Sequence, residues 1–217
     1  MRRTALAAVV AALMAAGADA ALAHSGPSGH LPDAEIFATN NTRVITDPAD
    51  PQLHDPLFRF ERKVDRIIER GGGRPRGSQL LDGVFFSSDL QTTTFERSRD
   101  FDVDHVTRRE LHDIADRVRE RFDQESVLTF DFPERSGDPV DAVQIEVPGI
   151  SAQQLRDGLL ADRAAAERLF GGSVTLDGRL VLIASLADVE VARSFITEIG
   201  GDLGAATLRT GHEEFVG

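Results

Sequence analysis

Residues 92–122, TTTFERSRDFDVDHVTRRELHDIADRVRERF, change their hydrophobic period halfway, and that change decides the fold. Up to Val103, polar residues Thr94, Glu96, Ser98 and Asp100 occupy every second position, the two-residue period of a strand with one polar face. Beyond His105 the pattern lengthens. Leu111, Ile114, Ala115, Val118 and Phe122 recur at helical spacing, behind Thr107 and Glu110, which have the spacing of a capping box. This stretch therefore predicts a strand passing directly into a helix.

Working outward, the same alternation of elements surrounds it. Upstream, a strand is expected within residues 34–46. Asp55-Pro56 then opens a helix through Leu57, Phe60, Val64, Ile67 and Ile68 that Gly71, Gly72 and Gly73 stop. Leu80 to Ser87 is extended. Downstream, Val127 to Phe132 is a strand with Leu128, Phe130 and Phe132 on one face. The first half thus has the order βαββαβ.

A polar connector through Pro133, Ser136, Gly137, Asp138 and Pro139 follows, and the order repeats. Val143, Ile145 and Val147 alternate with Gln144 and Glu146. Ser151 and Gln154 form a second capping box before Leu155, Leu159 and Leu169. Asp177-Gly178 is a hairpin turn between two apolar runs. Ser185 is the expected cap of a helix through Val191, Ala192, Phe195, Ile196 and Ile199, and Ala206 to Arg209 supplies the last strand. The fold class expected is α+β: tandem ferredoxin-like repeats, residues 34–132 and 139–217, packed sheet to sheet as a pseudo-dimeric barrel. Consecutive Val84, Phe85 and Phe86, with bulk on both faces, favour that packing.

The N-terminus predicts export. Arg2 and Arg3 precede an apolar run from Ala5 to Ala16, too short to span a bilayer, and Ala21-Leu22-Ala23 has the form of a cleavage site. Residues 1–23 are the expected signal peptide and residues 24–33 a flexible mature start, giving a secreted or extracytoplasmic protein. Cleavage removes Arg2, Arg3 and Asp19, so a formal charge of −12 becomes −13. That acidity disfavours nucleic acid and an anionic membrane surface as partners. The chain has no Cys, Trp or Tyr, and both methionines lie in the leader. Disulfides and thiolate metal sites are closed to it.

Candidate chemistry concentrates in the decisive stretch. Asp100, Asp102 and Asp104 project from one strand face at two-residue spacing, where like charges need compensation. A weakly bound divalent cation is one expectation; the plainer one is a solvated strand end offset by Arg97, Arg99, Arg108 and Arg109. No other cofactor is expected. Thr94, Glu96 and Ser98 continue the same row as candidate ligand-binding residues, on a wet sheet face or in the wall of a polar cavity. His112 and Asp116 share a side of the helix. Lys63, the single lysine, lies within a charged helix. No nucleophilic constellation stands out: Ser87-Ser88-Asp89 lacks the glycine frame of a nucleophile elbow. Gly71 to Gly77 with Arg74 and Arg76 lacks the lysine of a phosphate loop. The functional expectation is a secreted, non-catalytic protein that binds a small molecule or protein between its two sheets or on a polar sheet face. The alternative is an α+β barrel enzyme acting on a small molecule, with His105 or His112 as general base.

Overall fold

The computed structural model describes residues 32–133 and 139–217, so the expected leader and positions 134–138 of the connector lie outside the described residues. Eight strands form one closed antiparallel barrel: β1 (Ala34–Thr39), β2 (Arg74–Ser87), β3 (Thr92–Asp104), β4 (Val127–Asp131), β5 (Ala142–Pro148), β6 (Gly171–Thr175), β7 (Arg179–Ser185) and β8 (Thr207–Val216). Five α-helices pack around it: α1 (Phe58–Arg70), α2 (Arg108–Phe122), α3 (Ala152–Ala161), α4 (Arg163–Leu169) and α5 (Val189–Glu198). Round the barrel the strands run β1-β3-β2-β6-β7-β5-β8-β4, and β4 returns to β1. Two seams join the halves of the chain. β2 pairs with β6, and β4 pairs with β8.

Alternation along each strand divides outside from inside. Ala34, Ile36, Ala38, Phe101 and Val103 point outward and pack with Phe60, Val64 and Ile68 of α1 and Leu111, Ile114, Ala115 and Val118 of α2. The second half builds a matching outer core from Val143, Ile145, Val147, Leu180 and Leu182 under Leu155, Leu159, Ala192, Phe195 and Ile196. Each buried large aliphatic or aromatic side chain contributes about 1.5–3 kcal/mol. The apolar helix stripes therefore hold the helices against the barrel wall. With the apolar residues turned outward, the polar row of β3 is left for the interior.

Local signals account for most element boundaries. Both capping boxes form: Thr107 with Glu110, and Ser151 with Gln154. Gly178, at φ 79°, makes the β6–β7 turn with Asp177. Elsewhere the structure departs from expectation. The first helix starts at Phe58, three residues after Asp55, because Asp55 accepts the Leu57 N–H and Leu57 turns left-handed at φ 56°. The helix expected through Leu169 breaks at Asp162, whose carboxylate accepts the Ala165 N–H and begins α4. Ser185 does not cap α5; Asp188 is the N-cap residue, and the Ser185 hydroxyl donates to its carboxylate at 2.7 Å. The expected barrel does form, though the two sheets that make it do not stack face to face. They join edge to edge, and Phe85 points into the barrel while Val84 and Phe86 pack beneath the second-half helices.

Candidate functional site

Antiparallel partners share a face, so the registers fix what the barrel encloses. Glu35 of β1 lies opposite Asp102, Phe37 opposite Asp100, and Thr39 opposite Ser98. Gln79 is opposite Asp100 and Gly83 opposite Glu96. On the far wall Gln144 of β5 faces Arg209 of β8 on one side and Ile183 of β7 on the other. The enclosed side chains fall into two layers.

One layer is an ionic plug. The Arg209 guanidinium donates to Glu35 Oε1 at 2.6 Å and to Glu146 Oε1 at 2.9 Å. Arg179 donates to Glu146 Oε2 at 2.9 Å, and Gln144 Nε2 to Glu35 Oε2 at 2.8 Å. The Phe132 ring lies 4.3 Å from the centre of the Arg209 guanidinium, a cation–π contact. Gln79 Nε2 donates to Asp100 Oδ2 at 3.1 Å. Removal from water, against the attraction of Arg209, pushes Glu35 up to about 7, with Asp102 and Glu146 adding to the rise. Asp100 is raised well above the ordinary carboxylate range by the same burial, with Glu35 and Asp102 adding repulsion.

Three carboxylates of this plug, those of Glu35, Asp100 and Asp102, have oxygens within 4.8 Å of one another. That set differs from the expected Asp100, Asp102 and Asp104. Asp104 lies at the barrel end, where it accepts the Asp33 N–H at 3.3 Å and pairs with Arg76 at 3.3 Å. Nor is the row a solvated strand end offset by Arg97 and Arg99. Asp100 is buried inside, whereas Arg97 and Arg99 alternate onto the outer face of β3. There Arg97 donates to the Asp55 carbonyl, and Arg99 to the Pro56 carbonyl and Ser78 Oγ. Arg108 pairs with Asp131 at 2.9 Å. The hard oxygen donors suit a cation such as calcium, but a guanidinium already neutralises Glu35.

The other layer is a cavity of about 850 Å³ towards the opposite barrel end. Phe37, Phe85, Leu128, Val181, Ile183 and Phe215 give it apolar walls, and Thr39, Glu96, Ser98, Ser173, Ser185 and Glu213 give it polar ones. Phe170 and Phe215, both largely exposed, form an apolar rim. Gly83 and Gly171 let neighbouring groups of β2 pack tightly beside the cavity. A Cβ on Gly83 would stand 2.6 Å from the Phe85 ring and one on Gly171 2.2 Å from the Val84 carbonyl. Of the candidate ligand residues Thr94, Glu96 and Ser98, the last two line the cavity; the Thr94 hydroxyl instead donates to the Phe85 carbonyl at 3.3 Å. The Ser98 hydroxyl hydrogen-bonds to Glu96, but burial prevails and raises that carboxyl to about 7.

Neither candidate histidine reaches the cavity. His105 is exposed on the turn before α2, at φ 59°. His112 Nδ1 lies 2.9 Å from Glu214 Oε1 on the outer side of β8. Its expected neighbour Asp116 binds Arg119 instead.

No protein-family model and no curated protein matches the chain. A solved structure described as an anthrone oxidase-like protein is similar over 85% of this chain and 92% of its own, at 10% identity and a TM-score of 0.26. A likeness that low carries no argument about fold or chemistry. Among the described residues, no helix is long and apolar enough to cross a membrane.

Sequence reasoning missed Glu35, Arg209 and Glu213. Each sits in a strand whose partner across the barrel lies far along the chain, Glu35 and Arg209 being 174 residues apart. Period-two alternation is the one signal that marks them: Glu35 and Phe37 alternate with Ile36 and Ala38 just as Arg209 alternates with Leu208.

Proposed function

We propose that this protein is a non-catalytic binder of a small molecule, exported by its leader, and that its two halves are ferredoxin-like repeats joined into one barrel. The observation that carries the reading is the cavity of about 850 Å³, within the range of small-molecule sites and built mainly from apolar side chains with a few polar groups. One end of the barrel interior is filled by ion pairs, so a ligand enters from the rim of Phe170 and Phe215. The exposed positions of His105 and His112 favour binding over histidine-based catalysis. The connector between Pro133 and Pro139 agrees with two repeats, since complete strand and helix patterns lie on each side of it.

The absence of Trp and Tyr makes a fluorescent probe a clean test. The neutral, environment-sensitive dye N-phenyl-1-naphthylamine is expected to bind with a saturable rise in emission and one-to-one stoichiometry. Ser173→Leu, which places bulk in the cavity, should lower its affinity by at least tenfold while leaving the folded circular-dichroism spectrum intact. Absence of saturable binding, or affinity unchanged in a folded Ser173→Leu protein, would remove the cavity as the site.

A further inference from the structure

The cavity contains acid without matching base. Glu96 hydrogen-bonds with Ser98, and among the described residues no basic side chain pairs with it. Glu213 also lines the cavity from β8, with its carboxyl raised by burial and by Asp141, and with His212 opposing that rise. Glu125 adds a third carboxylate at the rim. The one basic side chain in the lining is Arg168, half exposed at the mouth, and Asp188 holds it in an ion pair. The wall therefore presents acidic groups without matching base on an apolar lining, within a protein of formal charge −12.

A carboxylate taken out of water must be protonated or find a counter-charge. In the ionic plug the protein supplies that charge itself, through Arg209 and Arg179. In the cavity layer it does not. The Phe37 and Phe85 rings and the side chains of Leu128, Val181 and Ile183 surround the acidic groups with surface that suits an uncharged body and, at the ring faces, a cation.

We infer that the ligand is an organic amine, an ammonium group on an apolar body, with Glu96 as the counter-ion of the ammonium. The inference rests on the cavity being a binding site and adds the chemical class of its occupant. Anionic ligands are rejected by Glu96 and Glu213 together. A neutral ligand of the same shape keeps the apolar contacts and forgoes the ion pair. Because Glu96 is raised to about 7 by burial, a bound ammonium expels its proton near neutrality. The charged groups bordering this exchange are Glu213 of β8, Glu125 of the α2–β4 turn, Arg168 of α4 and Asp188 before α5.

Three probes of one shape separate the outcomes: 1-naphthylmethylamine, 1-naphthylmethanol and 1-naphthoic acid, titrated calorimetrically into the full-length mature protein at pH 7. The amine should bind at least tenfold more tightly than the alcohol, and the acid should show no saturable binding. Repeating the amine titration in buffers of different ionisation enthalpy should reveal proton release. Glu96→Gln should bring the amine down to the affinity of the alcohol, abolish the release and leave the alcohol unchanged. If the alcohol or the acid binds as well as the amine, or if Glu96→Gln leaves amine affinity and proton release intact, the amine assignment is wrong while the cavity stands. If none of the three binds, the binding reading fails and takes the amine with it. A Glu96→Gln protein that does not fold shifts the decision to the wild-type ranking and proton release, which decide it alone.

Discussion

At the residue scale the unusual feature is how many carboxyl groups the barrel withdraws from water. Glu35 and Glu96 are both raised to about 7, and Asp100 is raised as well, with burial the largest cause in each. In the unfolded chain the two glutamates return to their ordinary value of 4.5. Between about 4.5 and about 7 the native state therefore holds more protons than the unfolded state, and stability must fall as pH rises through that window. Arg209 of β8, Glu146 of β5, and Asp100 and Asp102 of β3 are the charged groups that set the value at Glu35. Urea unfolding is expected to give a higher free energy at pH 5 than at pH 8, and Glu35→Gln should flatten the slope. A stability that is level or rising across pH 5 to 8 would contradict this electrostatic picture. Half of the chemistry was visible in advance, because two-residue spacing places Glu96, Ser98 and Asp100 on one face whatever that face meets. Glu35 could not be assigned to the same group from spacing, since only the β1–β3 register brings it opposite Asp102.

Elements obey local rules until they reach the seams. The capping boxes and the Asp177-Gly178 turn act within a few residues of themselves, so the sequence expresses them directly. The length of β8 is different. Its expected end was Arg209, yet it continues to Val216, because Gly211, Glu213 and Phe215 point inward and its backbone pairs with β4. Gly211, one residue before that seam begins, leaves no room for a side chain. A Cβ there would stand 2.2 Å from Phe130 Cε1 and 2.7 Å from the Asp131 carbonyl, and Phe130 is fully buried. The ring has little room to retreat and the carbonyl belongs to the β4 backbone. Gly211→Ala should therefore cost about 1–3 kcal/mol, the usual range for overpacking. Thr210→Ala on the outward face of the same strand should stay within about 0.5 kcal/mol. Chemical denaturation of the two variants measures the difference; equal costs would show that the seam tolerates bulk.

Considered as a whole molecule, the barrel is matched across its halves by charge. The first half brings Glu35, Asp100 and Asp102 to the plug, and the second brings Arg209 and Arg179 together with Glu146. Arg209 bonds Glu35 and Glu146 at once, so a single guanidinium ties the two halves through the barrel centre. Each half alone would also leave two sheet edges unpaired: β2 and β4 in the first, β6 and β8 in the second. Such edges seek partners. Two copies of the first half could close a barrel geometrically, but they would face two sets of Glu35, Asp100 and Asp102 without Arg209, and truncating one side of a buried ion pair typically costs about 3–5 kcal/mol. Closure by unlike halves was not legible from either pattern alone, because alternation defines a face and leaves open which edge it meets. Residues 32–133 and 139–217, produced separately and mixed, should assemble into a one-to-one complex with the circular-dichroism spectrum of the intact chain. Arg209→Met in the second fragment should weaken assembly by at least a hundredfold. Analytical ultracentrifugation distinguishes the outcomes: a stable homodimer of the first fragment, or assembly indifferent to Arg209→Met, would mean that edge pairing alone selects the partner and that the ionic plug contributes no specificity.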